Sequence, residues 1–276
     1  MRFVGSLALA ATLAASAEAQ EGGGTVRLEL RPRAGDTLRM RLDQVTEVSA
    51  PRRGSAPASV VTTLAMYSRA IVESTVPASS MIVAITDSVF VETNDEHSRT
   101  LADQTRRQLV GRAMRMQLWR DGTVTLADVP GAVSIEVAEM VSVMPASFPR
   151  EAIRVGDSWT RVMPIPPASQ LPVPIGAVVR ARFRLDSLSR GGDLAYVSMR
   201  GALETGTPAR AAGDDDPIAG TVSGSIVVNR ERGWLSESRF LVQMRATLPS
   251  PESGTATPMR FRMKITQHMR TEPGRP

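Results

Sequence analysis

Val179-Arg180-Ala181-Arg182-Phe183-Arg184-Leu185-Asp186 alternates without a break, with Val179, Ala181, Phe183 and Leu185 against Arg180, Arg182, Arg184 and Asp186. Successive side chains of an extended chain point to opposite faces, so this order puts four apolar groups on one side and four charges on the other. A strand of that kind rests one face on a core and turns the other to water. That is the antiparallel pattern, because strands of parallel sheets are covered on both faces and read as continuous apolar runs. Working outward, the register recurs at Leu38, Met40 and Leu42 against Arg39, Arg41 and Asp43. It returns at Met259, Phe261, Met263 and Ile265 against Arg260, Arg262, Lys264 and Thr266.

Further strands are expected over 25–31, 60–74, 80–93, 114–120, 123–128, 194–205, 220–229 and 234–248, and another begins at Ser158. Arg120-Asp121-Gly122-Thr123 reads as a hairpin, since Asp-Gly supplies the positive φ of a tight turn, and Asn229 to Gly233 reads similarly. Two stretches break the alternation. From Ser98 to Met114, Leu101, Thr105, Leu109 and Ala113 recur every four residues, the spacing of an amphipathic helix. Ala132 to Met144, between Pro130 and Pro145, predicts a second. Stretches rich in Pro, Gly and Ser at 50–59, 206–219 and 249–258 read as long hairpin loops, and 163–176, with five prolines, as a linker or crossover. The fold expected is mainly β (α+β): a large curved antiparallel sheet or half-barrel of about ten strands with two covering helices.

Residues 1–19 read as a secretory signal peptide. Arg2 gives the positive start, Val4 to Ala17 the apolar run, and Ala17-Glu18-Ala19 the small-x-small cleavage site. The mature chain would begin at Gln20, exported to the periplasm or beyond, as a single β-rich domain over 20–276. The leader is too short to span a bilayer and no later run approaches the ~20 apolar residues a span needs, so no transmembrane anchor is expected in the mature chain. The sequence of 276 residues has no cysteine, which excludes disulfides and a lipid-modified cysteine alike. Its 33 Lys+Arg against 28 Asp+Glu give a net charge of +5, and Lys264 is the single lysine.

Gly35-Asp36-Thr37-Leu38 and Gly156-Asp157-Ser158-Trp159 each open a run of alternating residues, an internal echo that suggests similar halves over 26–146 and 147–272. The longer run Phe148-Pro149-Arg150-Glu151-Ala152-Ile153-Arg154-Val155-Gly156-Asp157-Ser158-Trp159 resembles the signature FP-x-x-x-(hydrophobic)-x-V-G-D-S-W of a family of exported bacterial proteins with a domain of unknown function. The resemblance implies an exported β-rich fold and carries no activity with it. In plan, such proteins are similar to periplasmic lipoprotein carriers, in which a curved antiparallel sheet wraps an apolar cavity under helices, a likeness of fold alone.

Several chemistries are disfavoured. Gly156-Asp157-Ser158 is followed by Trp159-Thr160 and a strand, whereas a nucleophile elbow needs Gly-x-Ser-x-Gly leading into a helix. The motif reads as a turn with Trp159 packed in the core. A serine nucleophile also needs a base, and the two histidines are His97, in a charged loop, and His268, on the polar register of the last strand. The adjacent Asp95, Glu96 and His97 cannot easily converge on one ion, and Asp214-Asp215-Asp216 lacks the spaced ligands of a calcium loop. No phosphate-binding glycine loop is present, and no cofactor or metal is called for. The expected protein is not an enzyme; a hydrolase assembled from separate strands is the remote alternative.

If the strands bearing Arg180, Arg182, Arg184 and Arg260, Arg262, Lys264 were neighbours, they would form a cationic patch for anionic head groups or an acidic polymer. The preferred reading is an outer face neutralised by acids on adjacent strands. With aromatics at 4%, no nucleic-acid partner is expected. Fourteen methionines, many on apolar registers, suit either adaptable binding surfaces or plain core filling. The function expected is binding or carriage of an apolar, lipid-like molecule in the cell envelope, with Met40, Met116, Phe183, Met199, Met244, Phe261 and Met263 on the ligand face. The alternative is an envelope protein-interaction or scaffold module with a solid core. A lined void of about 300–1,000 Å3 separates the two.

Overall fold

The computed structural model describes residues 24–50, 58–128, 148–164, 178–204, 218–248 and 259–273. Eleven strands form one antiparallel sheet: β1 (Thr37–Ala50), β2 (Ala58–Thr75), β3 (Ser79–Thr93), β4 (Ala113–Trp119), β5 (Val124–Asp128), β6 (Ser158–Pro164), β7 (Val178–Leu188), β8 (Leu194–Glu204), β9 (Ile218–Asn229), β10 (Trp234–Leu248) and β11 (Met259–Pro273). Their order is β5-β4-β3-β2-β1-β11-β10-β9-β8-β7-β6. Strands consecutive in sequence therefore pair, apart from β5 and β6, β11 pairs back onto β1, and the circuit stays open between β5 and β6. Following the antiparallel pairings round, β5 and β6 run in the same direction, so they could not have paired in the antiparallel manner of the rest.

The two free edges are drawn together at one end. Phe148 N–H donates to the carbonyl of Asp121, in the β4–β5 hairpin, at 2.6 Å, and the Phe148 carbonyl accepts from Arg161 Nη2 of β6, also at 2.6 Å. One fully buried residue thus ties the two ends of an eleven-stranded sheet. The inner face lies inside this curl. It carries the alternation read from sequence: Ala181, Phe183 and Leu185 are buried while Arg180, Arg182 and Arg184 are exposed.

At the same end, residues 24–33 cross the mouth of the curl as a strap. Val26 and Ile153 exchange backbone hydrogen bonds at 2.7 and 2.8 Å, Leu30 N–H reaches Arg120 O at 2.9 Å, and Arg31 N–H reaches Gly233 O at 2.7 Å. The expected strand over 25–31 is therefore not a strand of the sheet. Val26, Leu28 and Leu30 do alternate with Arg27 and Glu29, but the apolar side plugs the mouth, and its single bridge is to Ile153. These residues join Leu38, Ile82 and Met116 from one half and Phe183, Val197, Ile226 and Trp234 from the other in one buried cluster.

Gly233 shows how closely the strap seats. Its φ is +61°, and a Cβ there would lie 2.4 Å from Arg31 O and 2.7 Å from Arg31 N, so only glycine fits.

The two Gly-Asp motifs build the same turn twice. Arg33 N–H bonds Asp36 Oδ2 at 2.9 Å, and Arg154 N–H bonds Asp157 Oδ2 at 2.8 Å. Gly35 N–H then bonds Val72 O and Gly156 N–H bonds Leu185 O, while Val72 and Leu185 return a bond to Asp36 O and Asp157 O. Both glycines have positive φ, +90° and +95°. Each turn starts a strand, β1 or β6, against the following one, and both halves lie in one continuous sheet.

The expected count of two covering helices is not supported. Among the described residues there is one, α1 (Glu96–Leu109), which starts before Ser98 and stops before Met114 because Gly111, at φ +75°, turns the chain back so that its N–H bonds Thr86 O. α1 lies beside β3, where it stands at the edge beyond the start of β4. The second predicted helix, 132–144, lies outside the described residues, as do residues 1–23 with the leader. The proline-rich 163–176 joins β6 and β7, which pair with each other, so it is a hairpin connection and not a linker between domains.

Candidate functional site

The inner face changes character from the strapped end to the opposite end. Near the strap, Leu38, Ala70, Ile82, Leu118, Phe183, Leu185 and Val197 are all buried. Midway, polar groups are interspersed among the apolar ones: Ser68, Thr86 and Ser238 are buried, and Gln44 stands opposite Gln267 across β1–β11. Gln44 Nε2 donates to Thr46 Oγ1 at 3.2 Å. Further from the strap the inner positions are apolar, with Met244 paired to Met263, Val242 to Ile265 and Ala246 to Phe261 across β10–β11. There Val48, Leu203, Phe261 and Ile265 are only half-buried around a second cluster of Ile218, Met244, Ala246 and Met263.

All seven residues expected on the ligand face occupy the inner register, but they fall in two groups. Met116, Phe183 and Met199 lie in the filled core at the strapped end, with Met40 half-buried against it. Met244, Phe261 and Met263 belong to the far cluster, beside half-exposed apolar neighbours. The half-exposed apolar surface of the upper inner face is the candidate site, and Val48, Leu203 and Ile265 are members of it that sequence reading did not single out. Ile265 was legible as an apolar position of the last strand; what was missing was any sign of which end stays open.

Arg161 was also missed. It points inward from the edge strand β6, between Trp159 and Met163, and its Nε is buried without a hydrogen-bond partner among the described residues. An inward charge on an edge strand blocks pairing with another chain. Trp159 stacks on Phe183 with ring centroids 5.6 Å apart, so it is half-buried and seated on the core.

The outer face is charged and partly paired, with Arg182 directly opposite Arg200 across β7–β8. β7 and β11 stand four places apart in the sheet, so the two arginine rows do not merge. Arg180 pairs with Glu204 at 2.8 Å and Lys264 with Glu47 at 3.0 Å. Arg41 pairs with Asp43 at 2.8 Å and its guanidinium lies 5.3 Å from the Tyr67 ring centre. Hydrogen bonds to Asp43 and Glu204 push Arg41 and Arg180 above their ordinary range.

His268 lies on the outer face of β11, its Nε2 2.6 Å from Glu237 Oε1, and Glu237 also accepts from Arg239 Nε at 2.8 Å. Burial pushes the Glu237 carboxyl up, but the hydrogen bonds from His268 and Arg239 outweigh it and hold the group below its ordinary value. Ser158 sits at the start of β6, five places from β11 in the sheet, and His97 lies in α1 and not in a loop. Among the described residues no three of His, Asp or Glu are grouped to hold a metal ion; Asp214–Asp216 lie outside them.

Two grooves are outlined, both at the strapped end. One, of about 450 Å3, is bordered by the strap and the β4–β5 hairpin; the other, of about 200 Å3, lies between β1, the β9–β10 turn and β11. None of the seven expected residues lines either.

No helix among the described residues is long and apolar enough to cross a membrane. No family model and no curated protein matches the chain. Among solved structures, one on lipid–protein interactions in lipovitellin is similar over 90% of this chain, with a TM-score of 0.55 and 8% identity. At that identity the likeness is one of fold, and the chain spans about a quarter (26%) of the length of that protein. DynF from the dynemicin pathway of Micromonospora chersina, at TM-score 0.21 and 6% identity, covers 92% of this chain and 88% of its own. OccK2 of Pseudomonas aeruginosa, at 0.25 and 7%, covers 88% of this chain and all of its own. What the comparisons show is a large antiparallel β-sheet of the kind seen in lipovitellin.

Proposed function

We propose that this chain is an exported, non-enzymatic protein of the cell envelope that binds or carries an apolar, lipid-like molecule on the upper half of its inner sheet face. The observation that carries the reading is the division of that face. The strapped end is a filled core, whereas the far end keeps Val48, Leu203, Phe261 and Ile265 half exposed inside the curl. Apolar side chains left partly uncovered within a concavity gain about 25 cal/mol for each Å2 that a ligand removes from water. Methionine pairs such as Met244–Met263 adapt to ligands of varied shape. The likeness of fold to lipovitellin, a protein whose structure was reported for its lipid interactions, supports the same reading. On this account Phe261 touches the ligand beside Val48, Leu203 and Ile265, Met244 and Met263 form the floor beneath them, and Met116, Phe183 and Met199 support the wall from below.

Oleate titration of residues 20–276, followed by thermal unfolding, tests this. Ligand at a hundredfold excess over its Kd adds about 2.7 kcal/mol. In a chain of this size that raises Tm by about 5–10 °C. Ile265→Asp, which places a charge on the far inner face, abolishes the rise while leaving the unfolding cooperative. If oleate leaves the wild-type Tm unchanged, the reading fails and the solid-core interaction module takes its place.

A further inference from the structure

The larger groove, at the strapped end, is far from the apolar site and built from different chemistry. Arg27 and Glu29 of the strap, Trp119, Arg120, Asp121 and Thr123 of the β4–β5 hairpin, and Arg150 surround its 450 Å3 or so. That size falls within the roughly 300–1,000 Å3 of small-molecule sites. Trp119 is 37% exposed, whereas Trp234 is buried and Trp159 is stacked on Phe183. Its indole N–H is already engaged by Thr125 Oγ1 at 3.3 Å, so the part left over is an apolar ring.

The charges around that ring differ in their commitments. Arg120 Nη1 pairs with Glu29 Oε2 at 3.1 Å, and Asp121 Oδ1 accepts from Thr123 N–H at 3.0 Å. Arg27 and Arg150 are exposed and make no ion pair among the described residues. Two guanidiniums without carboxylate partners match an anionic group, which arginine binds through paired N–H donors. The second oxygens of Glu29 and Asp121 are acceptors suited to hydroxyls. A ligand of anionic groups alone would be repelled by those carboxylates, and a purely apolar one would strip water from Arg27 and Arg150 without replacing its hydrogen bonds. A flat apolar face, several hydroxyls and one anionic group belong together in an acidic sugar.

We propose that this groove binds an acidic sugar, its ring against Trp119, its anionic group between Arg27 and Arg150, and its hydroxyls on Glu29 and Asp121. The proposal is independent of the apolar ligand, since the groove shares no lining residue with the far inner face.

Digalacturonate titrated into residues 20–276 at low salt, followed by calorimetry and tryptophan fluorescence, provides the test, with neutral maltose as the control. Saturable binding of digalacturonate, no binding of maltose, and weakening by salt are expected. The Arg27→Gln/Arg150→Gln variant binds at least about tenfold more weakly, the equivalent of about 1.4 kcal/mol. Both side chains are exposed, so its Tm stays at the wild-type value. Trp119→Phe loses the fluorescence change. No saturable heat with digalacturonate, equal binding of maltose, or an unchanged affinity in the double variant would each overturn the proposal.

Discussion

At Gly233 the absence of a side chain decides whether the strap can dock. Substitution by alanine forces φ of +61° on an L-residue and drives a methyl group into the Arg31 backbone, 2.4 Å from its carbonyl oxygen. Left-handed strain and overpacking together cost on the order of 3 kcal/mol. Gly35 supplies the control: its φ is +90°, yet nothing lies within 4 Å of the position a Cβ would take. Gly35→Ala therefore loses only about 1 kcal/mol, the backbone strain alone. Chemical denaturation of both variants checks the contrast, and equal losses would show that the strap does not press on Gly233.

The Glu237 carboxylate is the other residue whose environment makes a prediction. Its folded pKa lies below the ordinary value, since hydrogen bonds from His268 and Arg239 exceed the cost of burial. A depressed carboxylate contributes stability above its unfolded pKa, and that contribution disappears as pH falls through the folded value. Glu237→Gln should thus have a lower Tm than wild type near neutral pH, with the gap closing as pH drops below about 4. A gap that persists unchanged at acid pH would show that Glu237 acts by packing and not by charge.

Among the elements, the strap and the Phe148 tie hold the curl closed. Leu28 is 1% exposed, and truncating it to alanine removes apolar contact and leaves a cavity, a loss of about 2–5 kcal/mol. Phe148→Ala costs about 3–5 kcal/mol by the same mechanism. Hydrogen exchange separates the two: alanine at 148 keeps the backbone bonds to Asp121 and Arg161 but loses the buried ring that anchors them, so the amides of β5 and β6 are freed first, whereas loss of Leu28 loosens the strap. Uniform deprotection in both variants would contradict the assigned roles.

The strap is also where period two misleads. Val26, Leu28 and Leu30 alternate as well as any strand does, because alternation reports that one side of an extended segment meets a core and not that its backbone pairs laterally. The faces of β1, β7 and β11 were legible for the same reason. The prolines of 163–176 suggested a crossover, but Pro density marks irregular chain without saying what it connects. Of the candidate site, membership of the inner face could be read, while the split into filled and open ends could not. Phe183 and Phe261 stand in near-identical local sequence, Arg-Phe-Arg, yet Phe183 is buried in the strapped core with Trp159 stacked on it while Phe261 is half-buried.

Over the whole molecule, the matched turns at Asp36 and Asp157 begin two meanders that meet where β1 pairs with β11. The first and last strands are central neighbours, so the sheet's middle forms only when residues far apart in sequence meet, the kind of non-local pairing that slows folding. A circuit with one seam, closed at one end and lined with apolar chains at the other, has the shape of a cup, and what the cup holds decides its function.

Native mass spectrometry of residues 20–276, purified without detergent from an exporting host and followed by solvent extraction, tests that most directly. A stoichiometric, extractable, lipid-sized adduct, lost in Ile265→Asp, is expected. The bare polypeptide mass alone, with no uptake of added lipid, would contradict it.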